Sequence, residues 1–261
     1  MLNKIDERVK RLRFLDDRFM KICFKDHPEL VEKVLQIIFD TKDIKVKETF
    51  SQDYIANING KSVVLDIIAE STDDILYDLE VQRSDEGADI KRIRYISAML
   101  DTRSLEMKRK YSELGETYVI FITENDYFKK GKQVYHIERT IKETKEKVDD
   151  GLHIMYINTS YVSDDDLGKL CHDFRCDDPK EMKIKELKEV ASYYKEDKGG
   201  LLGMSVLEEV KSEGIAQGIA QGKAEGKVDL IVSLIKDGTL TIEKAAEKIN
   251  MDKEELIKLM N

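Results

Sequence analysis

The chain contains few of the residues that interrupt or cross-link a fold. It has two prolines and three cysteines among 261 residues. With 41% apolar and 37% charged residues, this composition excludes a disordered chain and predicts a helix-rich globular protein. An odd and sparse set of cysteines excludes a disulfide framework and is typical of a reducing compartment.

Long apolar runs and positive charge are also scarce. No run approaches the roughly 20 residues that a membrane span needs, and the first residues lack the apolar region of a signal peptide. We therefore expect a cytoplasmic protein with no membrane partner. The net charge of −9 argues against a general polyanion binder, because affinity for phosphates comes from lysine and arginine. Any nucleic-acid contact must use a local basic surface.

Apolar spacing predicts two helices and then three strands. Helical periodicity over Phe14–Asp40, interrupted by Asp26-His27-Pro28, indicates the two helices. Alternating segments follow, and Asn59-Gly60 between the first two is a strong hairpin signal. The predicted strands cover Ile44–Ile58, Ser62–Glu70 and Ile75–Arg83. Together they form a meander of three antiparallel strands.

A helix and further strands extend this meander. Ala88–Leu114 has helical spacing, and the β-branched and aromatic run Thr117–Thr123 is typical of a strand buried on both faces. Two more strands are predicted at Gln133–Arg139 and His153–Asn158. A helix over Asp164–Phe174 follows, with Ser163 as its N-cap. The predicted fold class is α/β, with a mixed α+β sheet in the order α-β-β-β-α-β and added strands.

A charged helical tail follows Lys180. Glycine recurs every fourth residue over 214–226, and each glycine costs roughly 1 kcal/mol of helix stability relative to alanine. A self-associating helix and a flexible spacer are equally good interpretations. Two short helices are predicted at Thr241–Ile249 and Lys253–Met260. The chain thus divides into a main domain (1–180), a helical linker or self-association segment (181–230) and a small helical hairpin (231–261).

Two acidic residues in the second and third strands give the clearest chemical signal. If the turn is centred on Asp73, Asp66 lies opposite Glu80, with Cβ atoms about 4.5–5.5 Å apart. Carboxylates this close repel each other unless a cation such as Mg²⁺ compensates, and a bound ion can activate water for attack on a phosphodiester. Strand acids are more often solvated edge residues. Spacing alone leaves both interpretations open.

Several motifs taken together resemble one nuclease family. They are Asp16–Lys21, Leu65-Asp66, Leu79-Glu80-Val81-Gln82, Arg92–Tyr95, Glu116–Glu124, Tyr135–Glu138 and His172–Cys176. The set is similar to the recombination-promoting nucleases, described as PD-(D/E)xK family transposases, whose core is restriction-endonuclease-like. The resemblance covers most of residues 14–180. It implies Mg²⁺-dependent DNA cleavage linked to recombination or transposition, with Asp66 and Glu80 as metal ligands.

Gln82 is the third predicted catalytic residue and departs from the motif of the PD-(D/E)xK superfamily, which places a lysine there, although the resembled family often has glutamine at this position. Lysine supplies positive charge near the attacked phosphate, whereas glutamine offers a neutral amide. This departure keeps open a second function, a catalytically weak module that binds DNA or a protein and forms homo-oligomers through its C-terminal helices. A toxin or defence effector is a third function that the sequence does not distinguish.

Two sets of polar residues, one on the helix after the motif and one near the start of the chain, each have two interpretations. The helix after the motif is locally basic, and we predict DNA contacts for Lys91, Arg92, Arg94 and Tyr95. An ordinary solvated helix face is the alternative. Asp16, Asp17 and Lys21 could line the site from the first helix, but acids at a helix start are more often caps or dipole partners. They are left out of the predicted catalytic set.

Overall fold

A computed structural model describes six strands and the helices around them. It covers residues 7–25, 27–55, 63–105, 110–197, 234–235 and 240–249. The chain divides into two units, Met1–Leu202 and Gly203–Asn261, and the sheet lies in the first. The predicted Asn59-Gly60 turn, the glycine repeats and the second helix of the terminal hairpin lie outside the described residues. The three-part division of the chain remains a prediction.

Two helices lie within residues 17–38, before the sheet, as the sequence predicts. They are α1 (Asp17–Lys25) and α2 (Pro28–Ile38). Pro28 begins α2 because its fixed φ suits a first helical turn, where its missing N–H would have had no partner. The rings of Phe14, Phe19, Phe24 and Phe174 lie within 5.3–6.4 Å of one another in four pairs. This aromatic cluster packs α1 into the core.

Six strands form one mixed sheet. They are β1 (Val46–Ile55), β2 (Val63–Ser71), β3 (Leu76–Gln82), β4 (Thr117–Thr123), β5 (Val134–Ile137) and β6 (Leu152–Asn158). Their order is β1-β2-β3-β4-β6-β5. β1, β2 and β3 pair antiparallel, which confirms the predicted meander, whereas β4 is parallel to both β3 and β6. Every β4 residue except Tyr118 is buried, as expected for a central parallel strand.

The helix α3 (Ile90–Ser104) is shorter than predicted. Asp89 caps its start, since its carboxylate accepts a hydrogen bond from the Lys91 N–H. Leu105 adopts extended backbone angles, φ −92° and ψ 102°, so the predicted continuation to Leu114 was wrong. The hydroxyls of Thr102 and Ser104 donate to carbonyls four residues earlier, a pattern that weakens the last helical turn.

Among the described residues, three further α-helices of eight or more residues follow the sheet, and the predicted cap of the first was wrong. They are α4 (Asp166–Arg175), α5 (Lys185–Ser192) and, in the second unit, α6 (Ile242–Ile249). The N-cap of α4 is Asp165, whose carboxylate accepts from the Gly168 N–H at 2.7 Å, whereas the Ser163 hydroxyl donates to that carboxylate. A charged acceptor suits the positive end of a helix better than a hydroxyl does. None of the described helices is long and apolar enough to cross a membrane.

Helices cover both faces of the sheet. The apolar side of α3 packs against one face through Ile68, Ile93, Ile96, Leu100, Val119, Phe121 and Tyr156. Because side chains alternate along a strand, Tyr77 and Tyr118 point to the other face. Phe39, which follows α2, packs there with ring-centroid distances of 5.6 Å to Tyr77 and 5.0 Å to Tyr118. α1 and α2 therefore form one layer, and α3 belongs to the other.

Candidate active site

The β2–β3 hairpin has the register that the sequence predicts. Four cross-strand pairs, from Glu70–Leu76 to Ile67–Leu79, follow a turn centred on Asp73. The ladder ends at Ile67–Leu79, and continuing its register by one residue would place Asp66 opposite Glu80. A slip of one residue would have placed them on opposite faces, so the structure meets the condition for a shared site.

At Asp66 and Glu80, side-chain carboxylates accept the hydrogen bonds that strand carbonyls accept elsewhere. The Asp66 N–H donates to Glu80 Oε1 at 3.0 Å, and the Val81 N–H donates to Asp66 Oδ2 at 3.2 Å. Buried N–H groups require an acceptor, so these bonds fix both carboxylates between the strands. The exposed fraction is 5% for Asp66 and 0% for Glu80. The predicted pair is therefore buried rather than a solvated edge.

Two cations reach this pair, one from each helical layer. Lys21 on α1 places Nζ 2.7 Å from Asp66 Oδ1. Arg92 on α3 donates from Nη2 to Glu80 Oε2 at 3.0 Å. Sequence reasoning set Lys21 aside, although the absence of a lysine at position 82 was a signal to look for another cation. The predicted DNA contact of Arg92 remains a prediction, and the structure places the guanidinium of Arg92 on Glu80.

Gln82 joins this network through both ends of its amide. Its Oε1 accepts from Arg92 Nη1 at 2.9 Å, and its Nε2 lies 3.4 Å from Glu80 Oε2. Gly87 lies close to the same amide: a Cβ on Gly87 would come within 2.0 Å of Gln82 Oε1. The Gly87 carbonyl also accepts from Arg92 at 3.0 Å. Gln82 is thus held against Glu80 and Arg92, and it brings no charge of its own.

A third carboxyl group, that of Asp78, is buried beside Glu80 on β3. Its side chain is completely buried, and neither carboxyl oxygen has a hydrogen-bond partner within the described part of the chain. Burial, followed by the charges of Glu80 and Asp66, raises the pKa of Asp78 well above its usual value. Alternation along β3 places Asp78 on the same face as Glu80, but strand periodicity alone does not identify it as buried.

Burial also raises the pKa values of the two central carboxyl groups. Burial and the neighbouring Asp17 raise the pKa of Asp66 to about 6, against the opposing effect of Lys21. Burial and the charge of Asp66 raise the pKa of Glu80 to about 8, although Arg92 opposes this shift. Asp66, Asp78 and Glu80 thus share two cations, Lys21 and Arg92. The excess of carboxyl groups favours an additional positive ion.

The donor set suits a hard divalent cation that keeps much of its water. Among the residues that the structure describes, no three His, Cys, Asp or Glu side chains are grouped to hold a metal ion. Mg²⁺ is commonly held by only one or two carboxylates, with water completing its coordination. Asp66 and Glu80, with a backbone carbonyl such as that of Val81, fit this requirement.

The remaining predicted site residues lie on α3. Lys91 and Arg94 are exposed, and Tyr95 is half-buried. They flank Arg92 on the helix that covers the site. Their contacts with DNA remain predictions.

The element order and the carboxylate pair define a restriction-endonuclease-like PD-(D/E)XK fold. A family model described as PD-(D/E)XK nuclease family transposase matches residues 28–166, more than half of the chain. The protein belongs to this family, which supports a nuclease role related to transposition. The matched segment includes Asp66, Glu80 and Gln82. No curated protein and no solved structure matches the chain.

Proposed function

We propose that this protein is a divalent-metal-dependent DNA endonuclease in which Asp66 and Glu80 hold Mg²⁺. The observation that carries the proposal is the buried carboxylate pair, fixed by backbone N–H groups and accompanied by a third buried carboxyl group, that of Asp78. Membership of a nuclease family supports it. When bound, the ion would neutralise charge on a phosphate and lower the pKa of a water molecule.

The protein's own groups would orient the reacting parts. Arg92 holds Glu80 and Gln82 together, and the Gln82 amide offers a neutral N–H donor to a phosphate oxygen. Lys91, Arg94 and Tyr95 would contact the DNA backbone. Such contacts position the duplex without reading its sequence, so we expect little sequence preference from α3.

A second candidate function rests on two observations. Each carboxylate oxygen of Asp66 and Glu80 already has a partner in the protein, and Gln82 contributes no charge. These features favour a catalytically weak nuclease-fold module that binds DNA or a protein and assembles through its C-terminal helices. Such a module would bind DNA without nicking it.

Incubation of the purified protein with supercoiled plasmid DNA and Mg²⁺ tests the proposal. We expect nicking by the wild type, a loss of about 100-fold or more in Asp66→Asn and Glu80→Gln, and no nicking in EDTA. Asp149→Asn is the matched control, since Asp149 is exposed outside the site. Equal nicking by all four proteins would identify a contaminating nuclease and defeat the assignment. Mg²⁺-independent DNA binding without nicking would instead support the weak module.

A further inference from the structure

Lys21 is a buried lysine at the centre of the site that the sequence analysis left out of the predicted catalytic set. Its exposed fraction is 8%. Its Nζ lies 2.7 Å from Asp66 Oδ1 and 2.6 Å from Asp17 Oδ1, one helical turn earlier on α1. Burial of an ammonium group is costly unless it is paired, and here two carboxylates pair with it. Lys21 is therefore held at the site rather than directed to solvent.

No cation occupies position 82, where the motif of the PD-(D/E)xK superfamily has a lysine. The Gln82 amide is neutral and is held between Arg92 and Glu80. Arg92 is charged, but its guanidinium donates to three acceptors: Glu80, Gln82 and the Gly87 carbonyl. A guanidinium group that makes three hydrogen bonds orients its partners, and it has little freedom to move with a reacting phosphate.

Lys21 differs from Arg92 in the freedom of its charge. An ammonium group is a compact charge on a flexible stem, and its donors can rotate. Its second partner, Asp17, has a side chain that is 54% exposed, so Asp17 can keep hold of Lys21 at the solvent side of the site. Lys21 also precedes the segment matched by the family model, which begins at residue 28.

We propose that Lys21, held by Asp17, supplies to a DNA phosphate the positive charge that the motif otherwise places at position 82. This inference rests on the proposed function. A charge delivered from α1 reaches Asp66 from the helical layer opposite to Arg92. The site then has an orienting cation on one side and a cation for the phosphate on the other.

The test compares Lys21→Met, Gln82→Lys and the double variant in the plasmid assay. Lys21→Met keeps the length of the side chain and removes its charge, and we expect nicking to fall by about 100-fold or more. Moving the lysine to position 82 in the double variant should restore at least about a tenth of the wild-type rate. The matched control is Lys25→Met, because Lys25 is exposed one turn further along α1 and should nick like the wild type.

A second measurement uses no DNA. Binding of Mn²⁺ to the folded state raises the unfolding temperature. Lys21→Met removes a cation that contacts Asp66, so its Mn²⁺-induced rise should equal or exceed that of the wild type. A residue that merely supports the structure would lose this rise together with activity. A Lys21→Met protein that fails to fold in Mn²⁺ would count against the proposal, because the metal should compensate for the missing charge.

The outcomes separate this inference from the proposed function. Wild-type nicking with unchanged nicking in Lys21→Met overturns the role of Lys21 and leaves the endonuclease intact. Slow nicking without rescue in the double variant also overturns it. Absence of nicking in the wild type overturns the endonuclease proposal and this inference with it. The role of Lys21 is supported if Lys21→Met nicks slowly, the second substitution restores nicking and the response to Mn²⁺ is preserved.

Discussion

The two faces of β3 are packed in opposite ways. On one face, the Tyr77 ring stacks on Tyr118 at 5.2 Å, and Tyr118 stacks on His153 at 4.2 Å. On the other face, Asp78 and Glu80 are completely buried. Asp78 lacks a hydrogen-bond partner within the described residues, and burial raises the pKa of both carboxyl groups. Neighbouring residues on one strand thus face very different surroundings.

The contrast shows how a small sheet can hold like charges together. Stacked aromatic rings and apolar burial stabilise the first face. The buried carboxyl groups destabilise the second face, because each loses hydration and repels its neighbours. Strained or unfavourable local arrangements persist where the surrounding structure determines them, and they are concentrated at functional sites. The carboxyl groups are held in place by the packing around them, which includes Ile68, Val119 and Phe121 on their own face of the sheet.

The largest expected effect on stability comes from the apolar face. Tyr77→Ala removes a side chain that is 4% exposed together with its stacking contact, and should lower the free energy of unfolding by about 3 kcal/mol. Urea unfolding measures this loss. Nicking by the folded protein at low temperature should stay close to wild type, because no carboxylate is changed.

Tyr111→Ala provides the matched control for this comparison. Tyr111 is 85% exposed, and its removal should change the free energy of unfolding by less than about 0.5 kcal/mol. Equal losses in the two variants would contradict the assignment of stability to the apolar face. Loss of nicking in folded Tyr77→Ala would show that the two faces are not functionally separate.

Removal of a buried carboxyl group from the acidic face should raise the free energy of unfolding rather than lower it. Asp78→Val removes a buried carboxyl group without partners and should raise the free energy of unfolding of the metal-free protein by about 1–2 kcal/mol. The pKa of Asp78 is higher in the folded than in the unfolded state, so the folded wild type binds more protons and loses stability as pH rises above the unfolded value of about 3.9. The gain from Asp78→Val should therefore be larger at pH 8 than at pH 5.

Urea unfolding at the two pH values checks this sign. The control is Asp149→Val, in which an exposed carboxylate is replaced and no gain is expected. A destabilised Asp78→Val protein at both pH values would mean that Asp78 has a stabilising partner. A gain that shrinks as pH rises would contradict the direction of the pKa shift.

Local features of the sequence predicted much of this fold and the two carboxylates of the site, but not their cations. Alternation and turn position predicted β2, β3 and their register, because strand periodicity is set within a few residues. The same register brought Asp66 and Glu80 together. The Ser163 cap was wrong for a local reason as well: Asp165 is a second oxygen acceptor two residues away, and the charged group accepts the helix N–H.

The cations of the site depend on contacts between distant segments. Lys21 reaches Asp66 only because α1 packs on the sheet, and its spacing from Asp17 alone indicates an ordinary ion pair within a helix. Arg92 and Arg94 are the two sequence neighbours of Ile93. The Arg92 side chain donates to Glu80, whereas Arg94 is exposed. Periodicity distinguishes the buried stripe of a helix from its polar side. It does not identify the partner of a polar residue at the border.

The smallest expected change in stability tests how closely Gln82 must be held. In Gly87→Ala the new Cβ would come within 2.0 Å of Gln82 Oε1, which is the end of a flexible side chain. The amide can swing away, so the free energy of unfolding should fall by less than about 1 kcal/mol. That movement breaks the bond from Arg92 to Gln82, and nicking should fall by about 10-fold if Gln82 orients the site.

Gly115→Ala is the matched control for Gly87→Ala. The nearest atom to a Cβ on Gly115 is the Asp74 carbonyl oxygen at 3.5 Å, an ordinary contact, so both stability and nicking should match the wild type. Comparison of these two variants distinguishes two reasons why side chains on β3 are held in place. If Gly87→Ala lowers nicking while stability is kept, Gln82 is held in place for chemistry. If stability falls and nicking per folded molecule does not, packing holds the acidic face in the same way as it holds the apolar face. The two faces of β3 would then differ only in the residues that they contain.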